Sequence, residues 1–189
     1  EIYTLSLHDA LPILVDAERI FDDIECRYLA LTEISAKLEV KPSVIMGFHQ
    51  NGKWNVPGGN SVQAAYIRDA GGAYLWADDG TSGRFPISFE TALEKGAEAD
   101  FWLDQSLSWR SAEDILNADP RYAGIKAFAD NRVYNNNRLV ADNGANLYSE
   151  TGIVNPDIVL ADLIRILHPE ALPDHDIVYY RRLDTHELP

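Results

Sequence analysis

The 189-residue chain has little cysteine, few basic residues and no long apolar run. Its single cysteine, Cys26, excludes an intrachain disulfide and a cysteine-rich metal site. No stretch approaches the roughly 18 apolar residues that a membrane-spanning helix needs. Lys and Arg number 16 against 30 Asp and Glu, and the net charge of −14 argues against a nucleic-acid partner, because a phosphate backbone selects basic side chains. The 46% share of hydrophobic residues is that of an ordinary globular protein.

Catalytic motifs are also missing. Residues 80–83 (GTSG) do not have the spacing of a Gly-x-Ser-x-Gly nucleophile elbow, and the chain contains neither a phosphate-binding loop nor a dinucleotide fingerprint. Cys26 lies in an acidic helical stretch, which disfavours a reactive thiolate. Histidines at 49, 168, 175 and 186 are scattered without the spacing of metal ligands. The sequence therefore predicts no enzymatic activity, no resident cofactor and no metal site.

Residues 1–13, EIYTLSLHDALPI, match the translation of a widely used sequencing adapter. We interpret them as an artefactual leader that is not part of the fold, and the His8-Asp9 pair receives no catalytic role. On this interpretation the natural chain begins upstream of Leu14. The lack of a signal peptide then carries no information about localisation.

Residues 14–38 are predicted to form a long helix. Ile20, Ile24, Tyr28 and Leu31 recur at intervals of three and four residues, which places them on one face. A long helix at this position indicates a rigid connection to a part of the protein that precedes it.

Short strands and helices alternate through the rest of the chain. Strands are predicted at 44–48, 73–76, 101–103, 132–134 and 177–180. Helices are predicted at 62–70, 89–95, from 111, at 120–128 and at 156–167. This order predicts an α/β lobe over residues 39–183, with a mostly parallel sheet flanked by helices, followed by a frayed tail at 184–189. Residues 135–155 form a long polar segment, which in a compact domain is usually functional or disordered.

The loop after the first predicted strand carries an aromatic ring and two glycines, in the order Trp54-Asn55-Val56-Pro57-Gly58-Gly59-Asn60-Ser61. In open α/β sheets, ligands bind at the carboxyl ends of strands, where this loop is expected. The glycines either let the backbone approach a ligand or only form a turn. Asn60 and Gln63 have the spacing of a capping box for the following helix.

Aromatic residues offer the remaining binding chemistry, because rings displayed on loops hold flat or apolar ligands at low entropic cost. Trp76 and Trp102 occur in strand-like runs and are expected to pack in the core. Trp54 and Trp109 are expected to face the surface. Tyr148, in the long polar segment, is hard to explain as a core residue.

Several blocks, in order along the chain, resemble one known family. They are the Trp54-x-Val-Pro-Gly-Gly-Asn-Ser motif, residues 67–77 (IRDAGGAYLWA), 98–102 (EADFW), 148–150 (YSE), 155–163 (NPDIVLADL) and 168–170 (HPE). Together they resemble the C-terminal lobe of a helical-backbone (class III) substrate-binding protein of an ABC importer, of the ferric-siderophore and vitamin B12 type. Residues 14–38 resemble the end of the helix that joins the two lobes of such proteins. The resemblance covers nearly all of residues 14–183 and is specific for the family, not for a ligand.

The resemblance implies roles for individual residues. The ligand-binding residues of the family lie on loops at the interlobe cleft, and the matching positions are Trp54, Gly58, Gly59, Asn60, Trp109 and Tyr148. Glu150 matches an acidic residue that docks onto arginines of the membrane permease, where opposite charges set the register. Residues 135–138 (NNNR) are further candidates for the cleft.

The implied function is capture of an iron chelate (a siderophore or a heme-like molecule) or a corrinoid between two lobes, and its delivery to the permease. The implied location is the periplasm or the cell envelope, with membrane contact only through the permease or through a lipid anchor upstream. Because half of such a site lies in the other lobe, this chain alone is not expected to bind ligand tightly.

Two alternatives stay open. One is a small α/β enzyme that binds an anionic substrate at the helix start after Asn60, with Ser61 and His49 as its candidate catalytic groups. The other is a direct zinc or manganese receptor, which requires converging ligands such as His49, Asp78 and Asp79.

Overall fold

The computed structural model of the chain describes residues 7–50, 53–106 and 108–185. Its helices are α1 (Leu7–Ser35), α2 (Val62–Asp69), α3 (Phe89–Gly96), α4 (Ala112–Ala118), α5 (Lys126–Ala129) and α6 (Pro156–Leu167). Its strands are β1 (Ser43–Gln50), β2 (Lys53–Pro57), β3 (Ala73–Tyr74), β4 (Arg84–Ile87), β5 (Phe101–Asp104), β6 (Val133–Asn135) and β7 (Arg181–Arg182). Two 3₁₀ segments, Pro120–Gly124 and Leu147–Ser149, lie between them. Among the described helices none is both long and apolar enough to cross a membrane.

The sheet is mixed and runs in the order β4-β2-β1-β5-β6-β7, with β3 also paired to β1. Its centre is parallel, since β1 pairs parallel with β3 and β5, and β5 pairs parallel with β6. Antiparallel strands lie outside this centre: β2 and β4 on one side and β7 on the other. The predicted α/β lobe with flanking helices is confirmed, but the sheet, which was predicted to be mostly parallel, is mixed.

Helices α2, α3 and α6 agree closely with the sequence prediction, whereas the predicted helix at 120–128 is divided by Ile125 into a 3₁₀ segment and α5. Helix α6 begins at Pro156 and ends at Leu167, as predicted, because proline is favoured in the first turn and the apolar residues repeat on one face. Helix α2 is capped by Ser61, whose side chain accepts a hydrogen bond from the Ala64 amide. The predicted capping box that begins at Asn60 is therefore wrong, because the N-cap lies one residue later and its third following residue is an alanine.

The sequence predicts a loop at 49–59, and this prediction is wrong. Strand β2 pairs antiparallel with β1 there, with His49 opposite Trp54. Strand β4 adds to its far side and places Pro86 opposite Asn55. Proline is tolerated in strands near a sheet edge. Pro57 in β2 and Pro86 in β4, which indicate loops in the sequence, are therefore compatible with these strands.

The last predicted strand, 177–180, is also wrong. The backbone amides of Val178 and Tyr179 donate to the buried Asp162 carboxylate at 2.9 and 2.7 Å. These amides are thereby engaged by a side chain of α6, and pairing with β6 begins only at Arg181.

The chain end beyond β7 is held in place. The Thr185 amide donates to Asn131 Oδ1 at 3.0 Å and its hydroxyl donates to the Phe128 carbonyl at 2.8 Å. The predicted frayed tail therefore does not begin at 184, and positions 186–189 lie outside the described residues.

Helix α1 is docked by its C-terminal half. Arg27 Nε donates to the buried Asp157 at 2.6 Å, and the Tyr28 hydroxyl donates to Asp69 at 2.8 Å. Farther toward its beginning the apolar face lies open, since Ile20 and Phe21 are exposed. The helix begins at Leu7, inside the segment interpreted as an artefactual leader, and that interpretation stays a prediction.

Candidate functional site

Strands β1, β5 and β6 end at one edge of the sheet because they are parallel. Gly47 of β1 lies opposite Asp104 of β5, and Asp104 lies opposite Asn135 of β6. The polar residues that follow these strands gather at this edge, which is where open α/β sheets bind ligands.

A groove of about 370 Å³ lies at this edge, and we call it the carboxyl-edge groove. It is lined by Gln63, Arg84, Gln105, Asn136, Asn146, Tyr148, Ser149 and Ile153. An adjoining apolar hollow of similar volume shares Gln63, Tyr148 and Ile153 with it. Side-chain amides, one tyrosine and one arginine are therefore the groups that a ligand would meet.

Tyr148 lies between the two hollows, where its ring is half-buried. It packs edge-on against Tyr179 and Tyr180, with ring centroids 5.9 and 5.7 Å away. Burial raises the pKa of the Tyr148 hydroxyl. Of the six residues predicted to bind ligand, Tyr148 is the one that lines this groove, and its role stays a prediction.

The two tryptophans expected at the surface are buried, so that expectation is wrong. Trp54 has 0% of its surface exposed and Trp109 has 6%. Trp54 packs 5.4 Å from Trp102 and 5.6 Å from Tyr122, and Trp109 packs edge-on against the same two rings. Because residue 54 belongs to β2 rather than to a loop, its ring points into the core. Trp76 and Trp102 are buried, as expected.

The glycines of the predicted ligand loop serve packing within the chain. A Cβ at Gly58 would lie 2.2 Å from the Thr81 carbonyl oxygen, and one at Gly59 would lie 2.2 Å from that of Ala77. Asn60 Nδ2 donates to the Gly80 carbonyl at 2.9 Å. Both positions require glycine because another backbone segment lies too close for a side chain. That segment is the 77–81 turn of this chain and not a ligand.

Arg84 is a groove residue that the sequence did not indicate. Its guanidinium donates to Gln105 Oε1 and its Cζ lies 5.1 Å from the centroid of the Phe48 ring. Arg84 begins β4, and only the pairing of β4 with β2 brings it to the carboxyl edge. No local sequence signal could have identified it.

Asp104, at the end of β5, is completely buried. One carboxylate oxygen accepts from the Ser106 amide at 2.8 Å, and Oδ1 has no hydrogen-bond partner among the described residues. Burial raises the pKa of this carboxyl to about 7, although backbone hydrogen bonds and the charge of Arg84 act in the opposite direction. The sequence signal for Asp104 is its position directly after the apolar run at 101–103, and it is not among the residues predicted to bind ligand.

Glu150 follows the 3₁₀ segment Leu147–Ser149, and its side chain is exposed. Its amide donates to the Leu147 carbonyl at 3.2 Å, which fixes the backbone that carries the carboxylate. The neighbouring apolar side chains of Ile153 and Val154 are also exposed. The position suits a docking residue, and that role stays a prediction.

A larger cavity of about 750 Å³ lies at the opposite edge of the sheet, where the parallel strands begin. Asp100, one of its lining residues, forms an ion pair with Lys126 at 2.5 Å. We place the candidate site in the smaller groove, because the carboxyl ends of the strands are the ends that bind ligands.

The groups named for the two alternatives are engaged elsewhere. The Ser61 hydroxyl caps α2, and the His49 ring packs edge-on against Phe89. Within the portion of the chain that the structure describes, no three His, Cys, Asp or Glu side chains come together as a possible metal site. The zinc or manganese alternative therefore has no ligand set in that portion.

A family model described as "Periplasmic binding protein" matches residues 16–137. The chain belongs to the periplasmic binding protein family. This confirms the resemblance found in the sequence at the level of the family.

Solved structures share the fold of this periplasmic binding protein lobe. The TroA-like periplasmic binding protein FepB from Veillonella parvula is 20% identical, with a TM-score of 0.65 over 89% of this chain and 56% of its own. The periplasmic heme-binding protein RhuT from Roseiflexus sp. RS-1 is 22% identical, with a TM-score of 0.64 over 86% of this chain and 59% of its own. CeuE from Helicobacter pylori, in a nickel–histidine complex, is 21% identical, with a TM-score of 0.65 over 90% of this chain and 51% of its own.

A curated relative, an uncharacterised lipoprotein of Methanocaldococcus jannaschii, is 31% identical over 160 residues. The match covers 82% of this chain and 36% of the relative. The chain thus spans little more than half of the similar structures and about a third of this relative.

Proposed function

We propose that this chain is the second lobe of an ABC-importer solute-binding protein and that the carboxyl-edge groove forms one wall of its ligand site. Membership of the periplasmic binding protein family supports the solute-binding role. The placement rests on one observation: the groove lies at the carboxyl edge of the parallel strands and collects amide, hydroxyl and guanidinium groups around Tyr148. A concave site with a ring and a few convergent polar groups is typical of small-molecule binding.

The proposed ligand is an iron chelate, either a siderophore or a heme-like molecule, with a corrinoid as the second possibility. The ring of Tyr148 offers a flat contact, and Gln63, Asn136 and Asn146 offer amide donors to ligand oxygens. A heme-binding protein and a nickel–histidine complex among the similar structures support a metal-bearing ligand.

The proposed location is the periplasm or the outer side of a cell membrane, where a lipid anchor upstream would hold the protein. The lipoprotein relative supports this location. The proposed partner is the membrane permease, onto which the exposed Glu150 docks against basic residues. Such a charge pair speeds encounter and sets register.

The test is a titration of the protein encoded by the complete gene. Tryptophan fluorescence is followed while ferric siderophores, heme and cobalamin are added separately. We expect saturable quenching by at least one of them, and much weaker binding to the 189-residue chain alone, because the groove supplies one wall. A complete protein that binds none of these ligands would overturn the proposed function.

A further inference from the structure

The apolar hollow beside the carboxyl-edge groove is as large as the groove itself, about 370 Å³. Its lining, as far as the structure describes it, contains no Asp, Glu, His, Lys or Arg side chain. The groove, in contrast, collects amides and a guanidinium. The hollow therefore suits an apolar group and offers no charge to an ion.

The hollow has a buried floor and an exposed rim. Val159 of α6 is 1% exposed, and Gly152 is also buried. The position of Gly152 admits no side chain, because a Cβ there would lie 2.4 Å from the Tyr148 carbonyl oxygen. Val62 and Ile153 line the same hollow and are 68% and 74% exposed. An apolar group that covers these two side chains would remove their surface from water, which is favourable.

The hollow and the groove share one wall, formed by Gln63, Tyr148 and Ile153. The Tyr148 ring is held there by its edge-on contacts with Tyr179 and Tyr180. A molecule that lies in the groove against Tyr148 therefore has the hollow within reach. A protein surface that filled the hollow would also cover one side of this ring.

The apolar surface continues past the hollow. A cleft of about 320 Å³ between α1 and α2 shares Val62 and Tyr66 with the hollow, and most of its lining is apolar. Polar side chains thus give way to apolar ones along one continuous surface that begins at the groove. An elongated ligand with a polar end and an apolar end matches this order.

We propose that the ligand is an amphiphilic metal chelate, whose polar head lies in the carboxyl-edge groove and whose alkyl chain extends into the apolar hollow. This inference rests on the proposed function and narrows its ligand class to chelates that carry an aliphatic chain. A compact chelate leaves Val62 in water, whereas an alkyl chain covers it. Each methylene that becomes fully buried raises the affinity about fourfold.

The test uses the complete protein and two pairs of ferric probes. One pair has a trihydroxamate head and the other a tris-catecholate head, and the members of each pair differ only in carrying an acetyl or an octanoyl group. For a head that binds, the octanoyl probe is expected to bind about 60- to 700-fold more tightly, because its additional methylenes, partly exposed, contribute about two- to threefold each.

Val62→Gln is the test variant, because Val62 lines the hollow and not the groove. It is expected to weaken binding of the octanoyl probe about 5- to 10-fold and to leave the acetyl probe within about twofold. Val40→Gln is the matched control, since Val40 is 73% exposed and lies at the opposite sheet edge, and it should change neither affinity. Thermal unfolding followed by circular dichroism confirms that each variant is folded.

Equal affinity for the acetyl and octanoyl probes would refute the inference and leave the proposed function standing, and this is the result expected if an upstream lobe covers the hollow. An octanoyl gain that Val62→Gln leaves unchanged would refute it as well. So would binding of heme or cobalamin without binding of any of the four probes. A complete protein that binds no probe, no heme and no cobalamin would overturn both the inference and the proposed function.

Discussion

Asp104 should make the stability of the folded chain depend on pH in the direction opposite to most carboxylates. Complete burial raises its pKa to about 7 from an ordinary value of 3.8. The folded state therefore holds a proton between these two values that the unfolded state has released, and stability falls as pH rises through this range. A shift of about 3 pKa units corresponds to about 4 kcal/mol over the whole transition.

The perturbation is Asp104→Asn, which keeps the shape and removes the titration. Only part of the transition lies between about pH 5 and about pH 8, and integrating proton release over that interval gives about 2.5 kcal/mol. Wild type should lose that much more unfolding free energy than the variant over the same interval. Urea denaturation at about pH 5 and about pH 8 measures the unfolding free energy of wild type and variant at each pH. Any pH-independent cost of burying the amide cancels, because only the change between the two pH values is compared.

Asp100→Asn provides the control. Its hydrogen bond and ion pair with Lys126 lower the pKa of Asp100 to about 2, so both its folded and unfolded forms are ionised above about pH 5. This variant should be less stable than wild type by the same amount at both pH values. If the unfolding free energy of Asp104→Asn also differed from that of wild type by the same amount at both pH values, the argument that Asp104 is protonated in the folded state near neutral pH would be wrong.

Three further predictions concern packing, anchoring and docking. Gly47→Ala should lower the unfolding free energy by about 1 to 3 kcal/mol in urea denaturation, because a Cβ there would lie 2.1 Å from the Trp54 indole nitrogen. Asp162→Asn should cost about 2 to 4 kcal/mol in the same assay, because its buried carboxylate accepts from His175 and from two backbone amides. Glu150→Gln should reduce transport in reconstituted vesicles while leaving ligand affinity of the binding protein unchanged, because the side chain is exposed beside the groove and not part of its lining.

Each of these predictions has a matched variant. Gly80→Ala meets no atom within 4 Å of its new Cβ and should leave stability within about 0.5 kcal/mol. Asp174→Asn changes an exposed carboxylate next in sequence to His175, the partner of Asp162, and should do the same. Glu170→Gln changes an exposed acid near the opposite sheet edge and should leave transport intact. Equal effects in a variant and its control would contradict the reason given for that variant.

Elements with a strong local signal were predicted well. Helix α6 has its proline start and apolar repeat written in consecutive residues. Strands β1 and β5 are short apolar runs, and their pairing in a parallel sheet follows from the helices between them. The long α1 and its apolar stripe were likewise visible, because periodicity along one helix does not depend on other parts of the chain.

The candidate site was predicted less well, because its residues come from separated segments. Tyr148 was identified because a tyrosine in a polar segment is conspicuous. Trp54 was misplaced, since a residue in a Pro- and Gly-containing stretch resembles a loop residue until β2 is seen to pair with β1 and β4. Arg84 reaches the groove only through that same pairing.

By itself, the sequence determined the family, the α/β class and the absence of recognisable catalytic motifs, because ordered motifs and hydrophobic periodicity are local properties of the chain. The tertiary structure decided which face each residue occupies. Strand pairing buried Trp54, placed Gly58 and Gly59 against the 77–81 turn, and brought Arg84 to the groove at the carboxyl edge. Burial and the charges that surround a group depend on contacts between distant segments, and these set both the pKa of Asp104 and the chemistry of the groove.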